Sequence, residues 1–600
     1  MGKHAKPSGK RPTTAPDGVV WARPLPLRST VRLRRPVDIW HKPALSAVVA
    51  MAIPDLTLFA LGRMDLVLYT SAGSLCALYA HGLPYAARAR TLLWVVLGMV
   101  ASLGIALTAA SVITSAAVLV VLASLLAAAH KMACDATRIG PPGNLILTFV
   151  AASAFFVPQR LGQVPAHMAL ALGTGGLAWL VCMAPALVRP RGPERIATAR
   201  ALEAAAGLLR TGVGAGGTDG PGVAHARHAT AAAVNAAWHT LFLVPTHTPA
   251  RAAARGELER LLVRAESALG GAGSGEADPV AEAELLAARA HALRGGRPLT
   301  EVPLTTAEAE DLAGITMERA TDSATDGAAP ALRRPAPGRP GGVRAVLARL
   351  APGSPLLPIG ARVAAGCVLA GWVSMAVGVG HPYWAVVTAA SIYQANTTLS
   401  WQRALQRTVG NLLGLLLFCA LLPLIHTGQL AMIGLALAFQ FGAEACITRN
   451  YWLGSVCVTP MALLLTEFGR HLPATTLIGD RWIDTLVGAA VGLACCVVVT
   501  NRRAADRIDI ALERVAAAEI AACRLLDTAP APGADDAGQA GWARDRLVGC
   551  LVELREAADV AAGEWWQRAL PQERIAGAEQ RGHRALAGLV RRLSAPAPVA

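Results

Sequence analysis

The chain has 600 residues, of which 54% are hydrophobic and 16% charged, with a formal net charge of +15 at pH 7 and a mean hydropathy of +0.43. So much apolar sequence excludes an ordinary soluble domain, and several apolar runs approach the ~20 residues that cross a bilayer as a helix. Much of the positive excess lies beside these runs, where basic residues anchor the cytoplasmic side; without zinc-finger spacing or a basic-aromatic patch it does not point to nucleic acid.

Residues 1–42 form a basic arm, from Lys3 to Lys42, with Asp17 and Asp38 its acidic residues. The arm is expected in the cytoplasm, and the sequence behind it shows no cleavable signal peptide. Six spans are predicted near 43–62, 64–80, 91–110, 112–130, 144–158 and 166–188, making a first membrane unit at 43–188. Arg88, Arg90, Lys131 and Arg138 then fall in inside loops, and Arg63 and Arg160 in outside ones. Residues 189–355 are polar and rich in Ala, Arg and Glu. They predict a cytoplasmic helical domain, with helices near 193–210, 222–243, 250–269, 278–294 and 305–318, and a linker over 319–342.

Six further spans are predicted near 361–380, 382–396, 406–425, 429–446, 452–467 and 483–500, within a second membrane unit at 356–500. Residues 501–600 predict a cytoplasmic C-terminal domain of three helices, near 503–527, 539–564 and 571–593, with Trp565 and Trp566 helping it meet the middle domain. The fold class is all-α and the lipid bilayer is the first partner. The halves also resemble each other. Thr70 in RMDLVLYTSAGSL matches Thr388 in HPYWAVVTAASIY, and Arg90-Thr91 matches Arg407-Thr408 at nearly the same offset. Duplication of a six-span unit, with a pathway between the copies, is the expectation.

The densest chemistry lies between His381 and Gly414. Tyr383 and Trp384 open an apolar run, Gln394–Thr398 interrupts it, and Arg403 and Arg407 stand four apart on one helical face. Asn411 follows, within the pair Gly410 and Gly414. This predicts two membrane helices joined by a basic hinge. The runs PYWAVVTAASI from Pro382, RALQRTVGNLLG from Arg403 and RWIDTLVGAAVG from Arg481 resemble the fusaric acid resistance protein family. That family stands beside the aromatic acid exporters and, more remotely, the aluminium-activated malate transporters of plants. The layout of six spans, cytoplasmic helices, six spans and cytoplasmic tail is similar too. The resemblance is strong over about 360–500 and degenerate over 43–188, where Asp65-Leu66 stands for Tyr383-Trp384.

The resemblance implies export or permeation of organic anions; the basic residues and the even number of spans put both termini in the cytoplasm, with the plasma membrane the expected location. Such a substrate needs cations or donors and apolar walls. Arg403 and Arg407 could supply the first, or act as anchors on lipid phosphate; Tyr383 and Trp384 could supply the second. Asn396 and Asn411 could line the path or bond a neighbouring helix. Asp55, beside Pro54 in the first span, is a candidate proton-coupling group, against a pairing with Arg63. Glu444 and Arg449 are expected to pair. Arg481 and Asp484 are expected to bridge on one helical face, with an outer gate as the alternative. Gly410, Gly414, Gly488 and Gly492 are expected to pack helices closely.

No cofactor, metal site or catalytic constellation is expected, and no Walker A run appears. The 11 cysteines make no CxxC and suit buried apolar positions. A gradient-driven transporter is the first expectation, an anion channel the near alternative, and a membrane scaffold with partner-binding helices the rival from another class. A homodimer is compatible with this layout.

Overall fold

The computed structural model describes residues 19–20, 30–33, 39–214, 221–244, 249–270, 278–296, 346–347, 350–351, 354, 356–467, 474–498, 504–528, 534–564, 567–568 and 570–593. The helix expected at 305–318, the linker at 319–342 and the Trp565–Trp566 contact lie outside them. The described chain is helical, apart from a two-residue antiparallel pairing of Val19–Val20 with Gln567–Arg568. Apolar content this high leaves backbone groups no partner in lipid except within helices.

The first group of apolar helices is α1 His41–Ala60, α2 Val67–Ser74, α3 Tyr85–Val112, α4 Ala116–Thr137, α5 Leu145–Ala154 and α6 Val164–Met183. Four more polar helices follow: α7 Gly192–Gly214, α8 Pro221–Phe242, α9 Pro249–Ser267 and α10 Pro279–Gly295. The second apolar group is α11 Leu357–Ala376, α12 Tyr383–Ile392, α13 Thr397–Ile425, α14 Gln429–Ile447, α15 Tyr451–Glu467 and α16 Ala474–Val498. The tail adds α17 Ala504–Asp527, α18 Ala534–Ala562 and α19 Gln572–Leu593.

Eight of the described helices are long and apolar enough to cross a membrane. The other four expected spans are shorter, Met64–Leu78, Leu145–Ala154, Tyr383–Ile392 and Tyr451–Leu465. A ten-residue helix reaches only ~15 Å at 1.5 Å per residue, half the hydrocarbon thickness. Sequence cannot show this, because a buried half-helix is as apolar as a span. In α12 all ten residues are buried. Pro382 precedes it, and the chain turns extended at Tyr393 and Asn396.

One core joins the two apolar groups: Ala47, Leu75, Val96 and Phe155 share it with Val363, Cys367, Tyr383 and Trp384. α1 of the first group packs on α14 of the second, and α11 of the second packs on α4 of the first. Outside this core the tail and middle helices fold together. Leu208, Val223, Ala231 and Leu269 lie in one cluster with Leu547, Leu551, Leu554, Leu586 and Leu589. Leu547, Leu551, Leu554 and Ala558 recur at helical spacing on α18, giving it one apolar face. Each buried leucine there contributes roughly 1.5–3 kcal/mol. Arg544 of α18 reaches Glu266 of α9 at 3.0 Å, both side chains almost fully buried. Local signals set the helix ends: Asp278 accepts from Val280 N–H at 3.1 Å before α10, and Gly296 closes it at φ +72°.

Candidate functional site

The basic hinge expected at Arg403–Arg407 is instead helix. Asn396 is extended and its side chain accepts from Leu399 N–H at 2.8 Å, so α13 begins at Thr397. Arg403 and Arg407 then lie within a 29-residue helix. Both turn toward Tyr451 at the start of α15. The Arg403 guanidinium lies 3.7 Å from the Tyr451 ring centroid, and Arg407 Nη1 donates to the Tyr451 hydroxyl at 2.9 Å. Tyr451 is 44 residues from Arg407, so no local sequence signal pointed to it.

One turn farther along α13, Asn411 Nδ2 donates to Thr485 Oγ1 at 2.9 Å, and Thr459 Oγ1 donates to Asn411 Oδ1 at 2.7 Å. This ties α13, α15 and α16 together at one level. Glycines permit the close approach on either side. A Cβ at Gly410 would lie 2.5 Å from Trp452 O, and one at Gly414 2.9 Å from Val456 O. A Cβ at Gly488 would lie 2.7 Å from Ala385 O, and one at Gly492 3.3 Å from the Ala389 Cα. Thus α15 lies on α13 and α16 on α12 nearly backbone to backbone.

Arg481 and Asp484 do not bridge. Arg481 is 2% exposed, with its guanidinium 3.6 Å from the Trp384 ring centroid. Asp484 instead accepts from the Ser374 hydroxyl of α11. The helix aims the two side chains at different neighbours although they are three residues apart. Trp384 is backed by Phe149 of α5 at 5.5 Å, and Tyr383 by Phe156 at 5.7 Å, so the first apolar group supplies part of the wall. Tyr383 and Trp384 themselves lie 4.9 Å apart. Among the described residues no carboxylate pairs with Arg403, Arg407 or Arg481, and Arg407 Nε and Arg481 Nε and Nη1 have no hydrogen-bond partner. Buried cations without counter-charge are costly.

Other expected pairings are also absent. Arg63 pairs with Asp65 at 3.0 Å on the surface. Asp55 is 1% exposed, and neither carboxylate oxygen has a partner among the described residues. Arg449 is exposed beyond the end of α14 and does not pair with Glu444. Asn396 has its oxygen engaged as the helix cap, while its Nδ2 donates to Asp559 O at 3.3 Å, turned toward the tail and away from the arginines.

That contact shows how the tail meets the start of α13. Thr398 N and Oγ1 donate to Gly563 O at 2.9 and 2.7 Å. Thr397 Oγ1 donates to Glu564 Oε2 at 2.6 Å. Burial pushes the Glu564 carboxyl above its usual range. On the next face, Gln406 and Asn450 each donate to Thr30 O at 2.9 Å, so a short piece of the basic arm straps α13 to α15. Sequence offered no sign of either contact.

Residues 368–495 match the family described as fusaric acid resistance protein-like. That interval contains every residue of the arginine cluster, and the resemblance seen in the sequence is borne out there. The chain is 29% identical to the uncharacterized protein slr1298 of Synechocystis sp. over 23% of its length, covering 18% of that protein. It is 29% identical to the uncharacterized membrane protein YvaC of Bacillus subtilis (strain 168) over 32% of its length, covering 29% of that protein. The matches thus span under a third of each relative's length. No solved structure matches the chain. The long apolar helices and these likenesses identify a multi-pass membrane protein.

Proposed function

We propose that this protein is a secondary transporter that exports amphipathic organic anions, aromatic carboxylates among them, across the plasma membrane. One observation carries the reading: Arg403 and Arg407 converge on Tyr451 in a membrane helix, beside aromatic side chains, with no carboxylate among the described residues paired to them. A substrate carboxylate supplies the missing charge and its apolar body meets Tyr383 and Trp384. Flat guanidinium groups suit carboxylates, and a tyrosine face holds a cation by ~0.5–2 kcal/mol without competing for its hydrogens.

The topology proposed here puts both termini in the cytoplasm. Two six-helix units make the membrane part, 43–188 and 356–500, with cytoplasmic helices at 189–355 and 501–600. In support, each apolar group runs long, short, long, long, short, long, and each first helix packs on the other group's fourth. Asp55, buried without a partner, is the proposed proton-coupling group.

The test is flux in proteoliposomes loaded with a panel of aromatic and aliphatic carboxylates, with and without a pH gradient. Gradient-dependent flux that Asp55→Asn abolishes supports the coupled transporter. Flux indifferent to the gradient and to Asp55→Asn assigns a channel instead. Absence of flux from folded protein over the whole panel overturns the reading in favour of a scaffold.

A further inference from the structure

We propose that Arg481, held flat against Trp384, forms a second anion station beyond Arg407, and that it takes the carboxylate of a ligand with a planar apolar body. This deepens the transport reading and rests on it. A merely structural arginine in a helical bundle is tied down by its own hydrogen bonds. Arg481 is 2% exposed, yet Nε and Nη1 have no partner among the described residues. Its position is fixed by the stack on Trp384 at 3.6 Å, and Phe149 supports that ring from α5. The contact orients the cation and leaves its hydrogens available.

The surroundings favour an anion passing between stations. Arg407, Tyr451, Tyr383 and Asp484 all lie within electrostatic range of Arg481. The Asn411–Thr459–Thr485 bonds fix the helices, and Thr485 Oγ1 donates to Arg481 O at 2.7 Å. Asp484 is already engaged by Ser374, and its other oxygen has no partner. That carboxylate leaves room for one bound negative charge and opposes a second. The station therefore suits monocarboxylates better than dianions. Tyr383 and Trp384, both buried, are the apolar walls.

The experiment uses the full chain in detergent, with benzoate as probe and inorganic phosphate as control, and follows the melting temperature. The same variants are then assayed for benzoate flux in proteoliposomes. Wild type is expected to be stabilised by benzoate and not by phosphate. Arg481→Met is expected to melt no lower than wild type without ligand, because it replaces a buried guanidinium that hydrogen-bonds no carboxylate with an apolar side chain of similar length. It loses the benzoate shift and lowers flux at least about tenfold. Arg481→Lys, which keeps charge but loses the flat stack, falls between the two. Benzoate stabilisation of Arg481→Met equal to wild type overturns the station. So does a wild type that phosphate stabilises as well as benzoate, or an Arg481→Met that melts lower while wild type ignores benzoate. If wild type binds benzoate through Arg481 but carries no flux, the station stands and the transport reading fails. If both proteins carry equal flux, the reading stands and the station fails.

Discussion

The first apolar group of this molecule buries Arg88 and the second buries Arg481, and the two are treated in opposite ways. In the first half Arg88 is 3% exposed and its three guanidinium nitrogens donate to backbone carbonyls: Nε to Ala80 O at 3.2 Å, Nη1 to Cys182 O at 3.3 Å and Nη2 to His81 O at 2.5 Å. These carbonyls lie at chain turns and a helix end, where backbone donors are few, although Ala80 O also accepts from Leu83 N–H at 3.0 Å. In the second half Arg481 is equally buried and lies on an aromatic ring instead. An arginine spent on carbonyls closes a structure, whereas one resting on a ring keeps its hydrogens for a ligand. The two groups run through the same order of long and short helices but differ in what surrounds their buried arginines.

The comparison can be broken most forcefully at Arg88. Arg88→Met takes the side-chain donor from His81 O and Cys182 O, and one of two donors from Ala80 O, and is expected to destabilise the protein by about 2–3 kcal/mol, read as a lower melting temperature in detergent. Flux per folded molecule should be unchanged. A stable Arg88→Met with altered anion selectivity would make the first half a second substrate site.

A smaller effect tests the helix contacts that frame the cluster. Gly410→Val pushes a side chain into Trp452 O and Ser455, and Gly488→Val into Ala385 O and Thr388. Each is expected to cost about 1–3 kcal/mol by overpacking. Thermal unfolding that moves for neither variant would show that the close approach does not hold the site.

Smaller again is the loss from Thr459→Val, which removes one donor to Asn411. About 1 kcal/mol is expected, with a rise in KM for the transported anion if Asn411 holds the helices in register. Unchanged stability and KM would detach that network from the site.

A pH-dependent effect lies outside both halves. His583 on α19 is buried, and burial pushes its pKa down to about 4. Its Nδ1 donates to Glu579 O at 2.7 Å, which fits the neutral ring. The unfolded chain takes up a proton near pH 6.5 while the folded one does not. The stabilising contribution is therefore full above pH 6.5 and is lost as pH falls toward about 4, by at most ~1.4 kcal/mol per pH unit. His583→Gln should flatten that part of the stability profile. An unchanged slope would place the titrating group elsewhere.

Helical class, apolar segments and the small-residue pairs were legible because each is written locally, in runs of residues. The grouping of Arg403 and Arg407 on one face was legible from their spacing. The start of α13 was misread because a polar break between apolar runs looks the same whether it is a loop or a capped helix. Tyr451, Phe149 and Gly563–Glu564 were out of reach, since they meet the site only through tertiary packing. The fate of Arg481 depended on Trp384, 97 residues earlier, competing with Asp484 three residues away; spacing favoured the carboxylate and packing chose the ring.

The most direct test of the central claim is one flux measurement on three proteins: wild type, Arg407→Ala and Arg88→Met, reconstituted at equal folded amounts with an aromatic monocarboxylate inside. The account predicts that Arg407→Ala loses about 100-fold or more of the flux while Arg88→Met keeps it. Equal loss in both variants, or none in Arg407→Ala, would contradict it.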